Sequence, residues 1–382
     1  MVEKQNIPSF DLKRNYARVK DEIKEAVDKV LDSQYFILGP EVEALEREIA
    51  GYLGVDKTVA CASGTDALVL AMMSLDLEEG DEVITTPFTF FATASCITRS
   101  GAKPVFADVD PVTYNISPEE ILSHITPRTK AVLPVHLFGQ MARLEEITPR
   151  LAANNIMLVE DCAQAIGAHR MIGGKIAKAG SVGDVGCFSF FPTKNLGCYG
   201  DGGMVTIPRD AERAARIKSL RVHGEGKTYF HEEVGINSRL DALQAAILRV
   251  RLRHLEEWTE ERRMAAERYM LLFGEKGLLD MVTPPAEEAG NRHVYHQYVV
   301  RAKKRDDLQK FLAERGITTR VYYPLPLHLQ RCFSEFGYKK GDLPVSEMLA
   351  DEVLALPMYP ELRAEEQERV VKEIATFYRG HN

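Results

Sequence analysis

The chain has 382 residues, 45% of them hydrophobic, which is more than one compact domain needs and predicts two. Its 56 acidic and 48 basic residues give a formal charge of −8, which argues against a broad basic surface for nucleic acid or an anionic membrane. We find no apolar run long enough to span a bilayer and no apolar signal-peptide core, so we expect a soluble, cytoplasmic protein.

Six cysteines are scattered along the chain without a CxxC pair or zinc-type spacing. This pattern predicts buried thiols rather than disulfides, and we expect no metal site.

The first elements are two amphipathic helical patterns between residues 19 and 53, separated by Gly39 and Pro40. Proline suits the first turn of a helix, so the second helix is predicted to begin there. We interpret this region as an N-terminal arm.

Apolar runs then alternate with helical patterns, in the order DEVITTP, KPVFADVD, KAVLPVHLFG, NIMLVEDCAQ, VGCFSFF and GGMVTI. Such alternation predicts an α/β fold with a mostly parallel sheet covered by helices. The last runs lack helical spacers, which predicts a hairpin there or a loop that carries chemistry.

The C-terminal part begins with one long helical pattern from about Ser238 through Arg251 and Trp258 towards Phe273. A strand HQYVVRA, a helix over residues 304–315, a strand TTRVYY and a helix over residues 364–378 follow, which predict a smaller α+β domain. We therefore expect an arm and a large domain over residues 1–240, and a linking helix with a small domain over residues 241–382.

A phosphate site is one interpretation of the segment CASGTD, which precedes the helical pattern ALVLAMMSL. Small residues at a helix N-terminus leave backbone N–H groups free for an anion. Taken by itself, the segment is better explained by Ser63 acting only as a helix N-cap, and the phosphate site gains weight only with partner residues.

Asp161 follows the apolar run NIMLVE, and ligands of doubly wound sheets bind at the carboxyl ends of strands. A carboxylate there can keep a pyridine nitrogen protonated, as pyridoxal phosphate chemistry requires. The alternative is an aspartate that caps the next helix.

Lys194 lies between the apolar segment SFFPT and the glycine-rich segment GCYGDGG, with Ser189 five residues ahead. Desolvation favours the neutral amine that forms a Schiff base, and the Ser189 hydroxyl could bind the same phosphate. The ordered combination of phosphate loop, strand-end aspartate and lysine is more specific than any single residue.

These segments resemble the DegT/DnrJ/EryC1/StrS sugar aminotransferases nearly from end to end. The resemblance rests on PSFDLKRNY, YFILGPEVEALE, ASGTDAL, GDEVITTPFTF, EDCAQAIGA, SFFPTKNLGCYGDGG, GINSRLDALQAAIL and YYPLPLHLQ. It implies the fold-type I architecture of aspartate aminotransferase and pyridoxal phosphate as cofactor.

The resemblance also implies the role of each cofactor-binding residue. Lys194 would hold the cofactor as a Schiff base and move the proton, Asp161 would contact the pyridine nitrogen, and Gln164 would lie near the ring O3′. The remaining cofactor contacts would be the phosphate-loop residues, the second serine and a stacking aromatic ring: Ser63, Gly64, Thr65, Ser189 and Phe90. As alternatives, Phe90 could be core and Gln164 a surface amide.

Residues near the long helix would complete the site in a homodimer. By resemblance, Asn237 would reach the phosphate of the neighbouring subunit, and Arg239 would contact substrate. The alternative is a helix cap followed by a solvated arginine. Sugar or nucleotide contacts are assigned to Tyr322, Tyr323 and His328, for which core packing or a structural histidine is the alternative.

The implied reaction is ping-pong transamination from L-glutamate to a nucleotide-linked keto-sugar. The motifs favour amination at C3 of UDP-2-acetamido-3-keto-glucuronate, with a dTDP-3-keto-6-deoxyhexose or a C4 keto-sugar as the alternative. Related dehydratases replace the lysine with histidine, so Lys194 argues against dehydration. A regulatory protein is the other rival, but we find no helix-turn-helix or basic stripe. Ile166 stands where several relatives carry histidine.

Overall fold

The computed structural model describes residues 6–380. Residues 1–5, in the predicted arm and large domain, and residues 381–382, in the predicted small domain, lie outside the described residues. The helices are α1 (Leu12–Ser33), α2 (Pro40–Leu53), α3 (Gly64–Met73), α4 (Ala92–Arg99), α5 (Pro118–Ser123), α6 (Thr148–Ala153), α7 (Ala211–Leu220), α8 (Ala242–Leu252), α9 (Leu255–Glu275), α10 (Arg305–Ala313), α11 (Pro344–Glu352) and α12 (Ala364–Gly380).

Short 3₁₀ helices lie at Leu137–Gly139, Leu144–Glu146, Leu327–Leu329 and Arg331–Phe336. The strands are β1 (Lys57–Cys61), β2 (Glu82–Thr85), β3 (Lys103–Phe106), β4 (Thr129–Leu133), β5 (Met157–Asp161), β6 (His169–Ile172), β7 (Lys175–Lys178), β8 (Val185–Ser189), β9 (Gly203–Ile207), β10 (Glu225–Lys227), β11 (Phe230–His231), β12 (Val282–Thr283), β13 (Asn291–Arg292), β14 (Tyr298–Ala302) and β15 (Val353–Leu356).

The main sheet has seven strands in the order β1-β9-β8-β5-β4-β2-β3. Neighbouring strands pair in parallel except at β9, which runs antiparallel to both β1 and β8. Most of its residues are buried, which explains the continuous apolar runs in the sequence. The predicted mostly parallel α/β fold is confirmed, and the hairpin expected at the last two runs is β8 and β9.

The carboxyl ends of three strands meet on one edge of this sheet. Asp161 of β5 is in register with Cys187 of β8, and Ser189 of β8 with Gly203 of β9. Gly203 is in turn opposite Cys61, the last residue of β1. The order of the strands in the sheet therefore places the segments that follow β1, β5 and β8 close to one another at this edge.

The predicted single helix from Ser238 to Phe273 is wrong. The chain forms α8 and α9, which are interrupted at Arg253 and His254. Helix α8 packs mainly on α1 and α2, and α9 mainly on α12. Helix α1 contacts both halves, since Trp258 of α9 packs in one cluster with α8 and α1, but the main partner changes from α1 and α2 to α12 across the break, which no proline or glycine marks.

The small C-terminal sheet has the order β12-β14-β15. The predicted strand TTRVYY is wrong, because only Arg320 pairs there, with Ala355 of β15. Pro324 and Pro326 lack the N–H group that a strand ladder needs, and the segment leaves the sheet. The sequence analysis did not predict β15, which pairs with β14 instead.

The termini of the predicted elements shift where side chains cap them. Helix α1 begins at Leu12 rather than near Val19, since the Asp11 carboxylate accepts hydrogen bonds from the amides of Lys13 and Arg14 at 3.0 and 3.1 Å. Helix α2 begins at Pro40 as predicted.

The prediction of buried cysteines is confirmed for five of the six thiols and is wrong for Cys332, which is exposed. Within residues 6–380, no helix combines the length and apolar character needed to cross a membrane.

A buried ion pair connects α2 to the first strand and to the chain after α7. Arg221 Nη1 lies 2.7 Å from Glu46 Oε1 and donates to the Ala60 carbonyl at 2.7 Å, while Glu46 accepts from the Ala60 amide at 2.9 Å. Both side chains are almost completely buried. Removing one partner would leave the other charge desolvated without compensation.

We therefore expect Arg221→Met to lower the free energy of unfolding by about 3 kcal/mol, as broken buried pairs do. Arg47→Met is the control, because Arg47 lies on α2 but is exposed and forms only a long ion pair, 3.9 Å, with Glu43. Its replacement should lower the free energy of unfolding by less than about 0.5 kcal/mol. Denaturant unfolding of both variants measures the difference, and equal losses would contradict the assigned role of the pair.

Candidate functional site

A cavity of about 430 Å³ lies at the edge where β1, β5 and β8 end. It brings together ten of the predicted site residues: Ser63, Gly64, Thr65, Phe90, Asp161, Gln164, Ser189, Lys194, Tyr322 and Tyr323. The first eight come from the region of the main sheet, and the last two follow Arg320 of the small domain.

One end of the cavity is suited to a phosphate. Ser63 is the N-cap of α3, and its Oγ accepts from the Asp66 amide at 3.0 Å. The first amides of the helix have no intrahelical acceptor, and they form the positive end of the helix dipole, which favours an anion. A Cβ at Gly64 would lie 2.5 Å from Ser189 Cβ, and a Cβ at Gly203 would lie 2.3 Å from the Ser63 carbonyl oxygen. The two glycines therefore permit the close approach that forms this end.

Asp161 supplies a buried carboxylate at the end of β5. Its Oδ2 accepts from Thr93 Oγ1 at 2.9 Å, and its Oδ1 accepts from the Ala163 amide at 3.1 Å. Burial raises the pKa of this carboxyl, although both hydrogen bonds oppose the rise. In the described part of the chain, no cationic side chain lies within ion-pair distance of it. A cationic ligand atom would therefore be stabilised here.

Lys194 lies in the loop between β8 and β9, half-buried in the cavity wall. Its amide donates to the Phe191 carbonyl at 2.8 Å, which tightens the loop. Burial lowers the pKa of the amine to about 8, while the negative charge of Asp161 raises it. A larger fraction of this amine is neutral and nucleophilic near neutral pH than for an exposed lysine.

The Gln164 side chain is oriented by two hydrogen bonds. Its Oε1 accepts from the Phe138 amide at 2.7 Å, and its Nε2 donates to Tyr323 Oη at 3.1 Å. Phe90 lines the cavity but remains 59% exposed, so its ring has a free face. The structure therefore excludes the alternative that Phe90 is ordinary core.

Asn237 and Arg239 lie outside the residues that line the cavity. The residue between them, Ser238, is buried; its hydroxyl donates to Asp66 Oδ2 at 2.8 Å and accepts from the Ala62 amide at 3.1 Å. These bonds hold the segment against the phosphate loop, while Asn237 itself is exposed.

His328 also lies outside the cavity lining. It is completely buried, and its Nε2 lies 3.1 Å from Glu347 Oε1. Its ring makes an edge contact with Tyr338. All of these partners lie in the C-terminal part of the chain, after β14.

Sequence reasoning missed several residues of the site. Thr93 holds the Asp161 carboxylate from α4, and His296, Gln297 and Asp201 line the cavity. The His296 Nδ1 lies 3.1 Å from Asn195 Oδ1, whose amide orientation is set by its own bond to the Val294 carbonyl. The available signals were the HQ pair that opens the predicted strand HQYVVRA and the aspartate of the segment GCYGDGG, neither of which was assigned a role.

These residues fit pyridoxal phosphate. The phosphate end, the buried carboxylate and the amine of low pKa occur in one cavity, and the Gly64 contact with Ser189 leaves no room for a side chain beside the phosphate position. This combination of anion site, carboxylate and lysine is the set that the chemistry of this cofactor needs.

Comparisons with known proteins agree with this arrangement. The sequence profile of the DegT/DnrJ/EryC1/StrS aminotransferase family matches residues 17–375. A pleiotropic regulatory protein of Geobacillus stearothermophilus is 50% identical over 98% of this chain and 99% of its own length. The UDP-N-acetyl-3-dehydro-alpha-D-glucosamine 3-aminotransferase of Acidithiobacillus ferrooxidans is 45% identical over 100% of both chains.

The UDP-2-acetamido-2-deoxy-3-oxo-D-glucuronate aminotransferase of Pseudomonas aeruginosa is 42% identical over 93% of this chain and 96% of its own length. Among solved structures, S. venezuelae DesV superposes with a TM-score of 0.92 at 38% identity, covering 97% of this chain and 98% of that chain. Other solved relatives carry PMP or PLP. The expected architecture and cofactor are confirmed.

We predict that the Lys194 amine of the ligand-free protein titrates near pH 8, since burial lowers its pKa to about 8. A short pulse of an amine-reactive reagent at increasing pH, followed by peptide mass spectrometry, measures the midpoint; unburied lysines titrate near ~10.4. Asp161→Asn should move the midpoint lower, because the Asp161 charge raises this pKa. A midpoint near that of an unburied lysine, or an upward shift in Asp161→Asn, would refute this description.

Proposed function

The chain belongs to the DegT/DnrJ/EryC1/StrS aminotransferase family, and from that premise we propose that it aminates C3 of a UDP-linked 2-acetamido-3-keto-sugar. L-Glutamate is the proposed amino donor. The enzyme is a pyridoxal-phosphate-dependent sugar aminotransferase, and the observation that carries the proposal is the Lys194 amine and the Asp161 carboxylate in one cavity. A cytoplasmic location belongs to the same proposal, because nucleotide sugars and glutamate are cytoplasmic metabolites.

Pyridoxal phosphate, when bound, supplies an aromatic electron sink for the carbon that loses a proton. Lys194 holds and moves that proton through its amine, whose low pKa lets it act as a base near neutral pH. Asp161 keeps a ring nitrogen protonated, and this protonation in turn lets the buried carboxylate remain charged.

The other cavity residues position the ring and the phosphate. Gly64, Thr65 and Ser189 bind the phosphate together with Ser63, whose hydroxyl hydrogen stays free while its oxygen caps α3. Phe90 would stack on a face of the bound pyridine ring. The Gln164 side chain, held by the Phe138 amide and Tyr323, would hydrogen-bond the O3′ atom of that ring.

The sugar is the finer part of the proposal. Two relatives with UDP-linked substrates, a 3-dehydro-glucosamine and a 3-oxo-glucuronate, are 45% and 42% identical to this chain. We favour the glucuronate type, with Tyr322 and Tyr323 as sugar contacts on the small-domain wall of the cavity. A dTDP-linked 3-keto-6-deoxyhexose is the second candidate, because a relative 42% identical is named for a dTDP-3-amino-3,6-dideoxy-sugar.

A regulatory role, which the name of the 50% identical relative carries, does not account for the site. Binding of DNA needs neither a buried carboxylate nor an amine of low pKa, and the chain carries a net charge of −8.

We also propose that the active unit is a homodimer with shared sites. Two large aromatic residues that line the cavity, Phe90 and Phe191, and Phe91 next to the first of them, are exposed on the single chain. Such a patch favours burial against another chain. Asn237 faces outwards beside the phosphate loop, so it can reach a neighbouring phosphate site, and Arg239 on the same segment can contact a substrate anion.

The substrate is tested by loading the enzyme with PMP and adding a panel of nucleotide keto-sugars. UDP-2-acetamido-3-keto-glucuronate should restore the aldehyde absorbance faster than dTDP-3-keto-6-deoxyhexoses or C4 keto-sugars. Lys194→Ala should bind PMP and retain the fold but lose turnover by several orders of magnitude. Faster return with a C4 keto-sugar would refute C3 amination, and undiminished turnover in Lys194→Ala would refute the assigned role of the lysine.

The shared site is tested by mixing Lys194→Ala with Asn237→Ala, each inactive alone. In a heterodimer, one of the two sites then combines an intact lysine with an intact asparagine, so activity should partly return. Lys194→Ala mixed with Asp161→Asn is the matched control, since both residues belong to one chain's cavity and neither site becomes intact. No recovery in proven Lys194/Asn237 heterodimers would show that Asn237 acts within its own chain.

A further inference from the structure

A second, narrow cleft opens beside the cavity and shares four of its lining residues. Thr193, His296, Gln297 and Tyr322 line both spaces. The cleft adds Ser9 and Phe10 of the N-terminal segment and Met358 of the small domain. Lys194 lines only the cavity, but the charge of its amine acts on His296, which lines both spaces, so the cleft opens close to that amine.

Arg320 is one of two cations that line this cleft. It is exposed, and its backbone is anchored by a reciprocal pair of hydrogen bonds with Ala355, at 3.1 and 2.7 Å. Its side chain forms no ion pair or hydrogen bond with any residue between 6 and 380. The backbone of Arg320 is therefore anchored, while its guanidinium N–H groups have no partner among the described residues.

Arg262 is the second cation, and it is only 6% exposed. Its Nη1 donates to the carbonyls of Tyr295, His296 and Met358 at 3.2, 3.4 and 3.2 Å. Its Nε and Nη2 donate to no described residue, and no described carboxylate lies within ion-pair distance. Burial lowers the pKa of Arg262 to about 10, against a weaker rise from the charge of Glu361.

Among the described residues, the buried Arg262 guanidinium donates only to carbonyl oxygens and has no carboxylate within ion-pair distance to compensate its charge. Glu361 acts on it from beyond ion-pair distance and bonds Arg18 and Asn15 instead. An anionic group that entered the cleft would supply that compensation and would face two guanidinium groups. The positive charge that would attract an anion is confined to this cleft, since the chain as a whole has a net charge of −8.

We propose that the cleft between Arg262 and Arg320 is a substrate carboxylate subsite of the transamination reaction. The cleft holds about 40 Å³, which is room for roughly three water-sized groups and therefore for one planar carboxylate rather than a diphosphate. Its position next to Lys194 suits a ligand whose carboxylate is a few bonds from the reacting nitrogen. This inference deepens the proposed function and rests on it.

Two substrates of the proposed reaction carry a carboxylate, the amino donor and a uronate sugar. In a ping-pong reaction they occupy the same cavity at different times, so one subsite can serve either or both. Arg239 is a separate cation, because it lies outside both spaces. The chemistry shared by the two sources is a carboxylate held by two arginines.

The test compares Arg320→Gln with wild type and with Arg331→Gln. Arg331 is an exposed arginine that lines neither space and forms no ion pair within residues 6–380, so it controls for loss of a surface charge. Calorimetry of the holoenzyme with glutarate, an unreactive dicarboxylate, measures binding independently of turnover. Both half-reactions are then followed with L-glutamate, a 3-keto-uronate and its 6-hydroxymethyl counterpart.

We expect Arg320→Gln to weaken glutarate binding about tenfold or more, as loss of a charge-assisted contact does, with Arg320→Lys intermediate and Arg331→Gln unchanged. A rise in KM for L-glutamate alone assigns the donor carboxylate, a rise for the uronate alone assigns the sugar, and a rise for both assigns a shared subsite. Unchanged glutarate binding, or equal losses for the uncharged sugar, would overturn the proposal. If no keto-sugar is aminated but glutarate binding still depends on Arg320, the proposed substrate fails and the subsite stands.

Discussion

A buried carboxylate without a cation of its own is the constraint on which the rest of the site depends. Asp161 lies at the end of a central strand, where burial raises its pKa and two hydrogen bonds, from Thr93 and from the Ala163 amide, favour its charged form. The Asp161 charge raises the pKa of Lys194, but the two side chains lie beyond ion-pair distance of each other. The fold therefore keeps a desolvated negative charge for a ligand atom.

The sheet topology determines where this charge is placed. Strands β1, β5 and β8 end on one edge, and β9 returns antiparallel between β1 and β8. The return brings Gly203 against Ser63, and Gly64 lies against Ser189, at distances that admit no Cβ. At the phosphate end of the cavity the Gly203 backbone therefore approaches the Ser63 backbone and the Gly64 backbone approaches the Ser189 side chain, so the geometry depends on glycine at these two positions.

The two sides of the cavity have different tasks. The main-sheet side carries the Asp161 carboxylate and the Lys194 amine, and the hydrogen bond from Gln164 to Tyr323 crosses from this side to the opposite wall. The small-domain wall supplies Tyr322, Tyr323 and the two arginines of the adjoining cleft. Within residues 6–380, Arg262 donates only to carbonyl oxygens, and it lines the adjoining cleft, so its positive charge lies beside the cavity that holds the negative charge of Asp161.

Local sequence determined the elements whose chemistry is contiguous in the chain. The apolar runs predicted most strands of the main sheet, and the segments around Ser63, Asp161 and Lys194 identified the cofactor chemistry, because strand, turn and reactive side chain lie within a few residues of each other. The start of α2 at Pro40 followed for the same reason.

Only the tertiary structure decided the features that depend on distant neighbours. The break between α8 and α9 accompanies a change of main packing partner from α1 and α2 to α12, and TTRVYY leaves the sheet while β15 takes its place beside β14. Thr93 and His296 reach the site from elements far from Lys194. Hydrophobic periodicity records which face of an element is buried but not against what, so long-range contacts and the charges that they leave uncompensated require the folded chain.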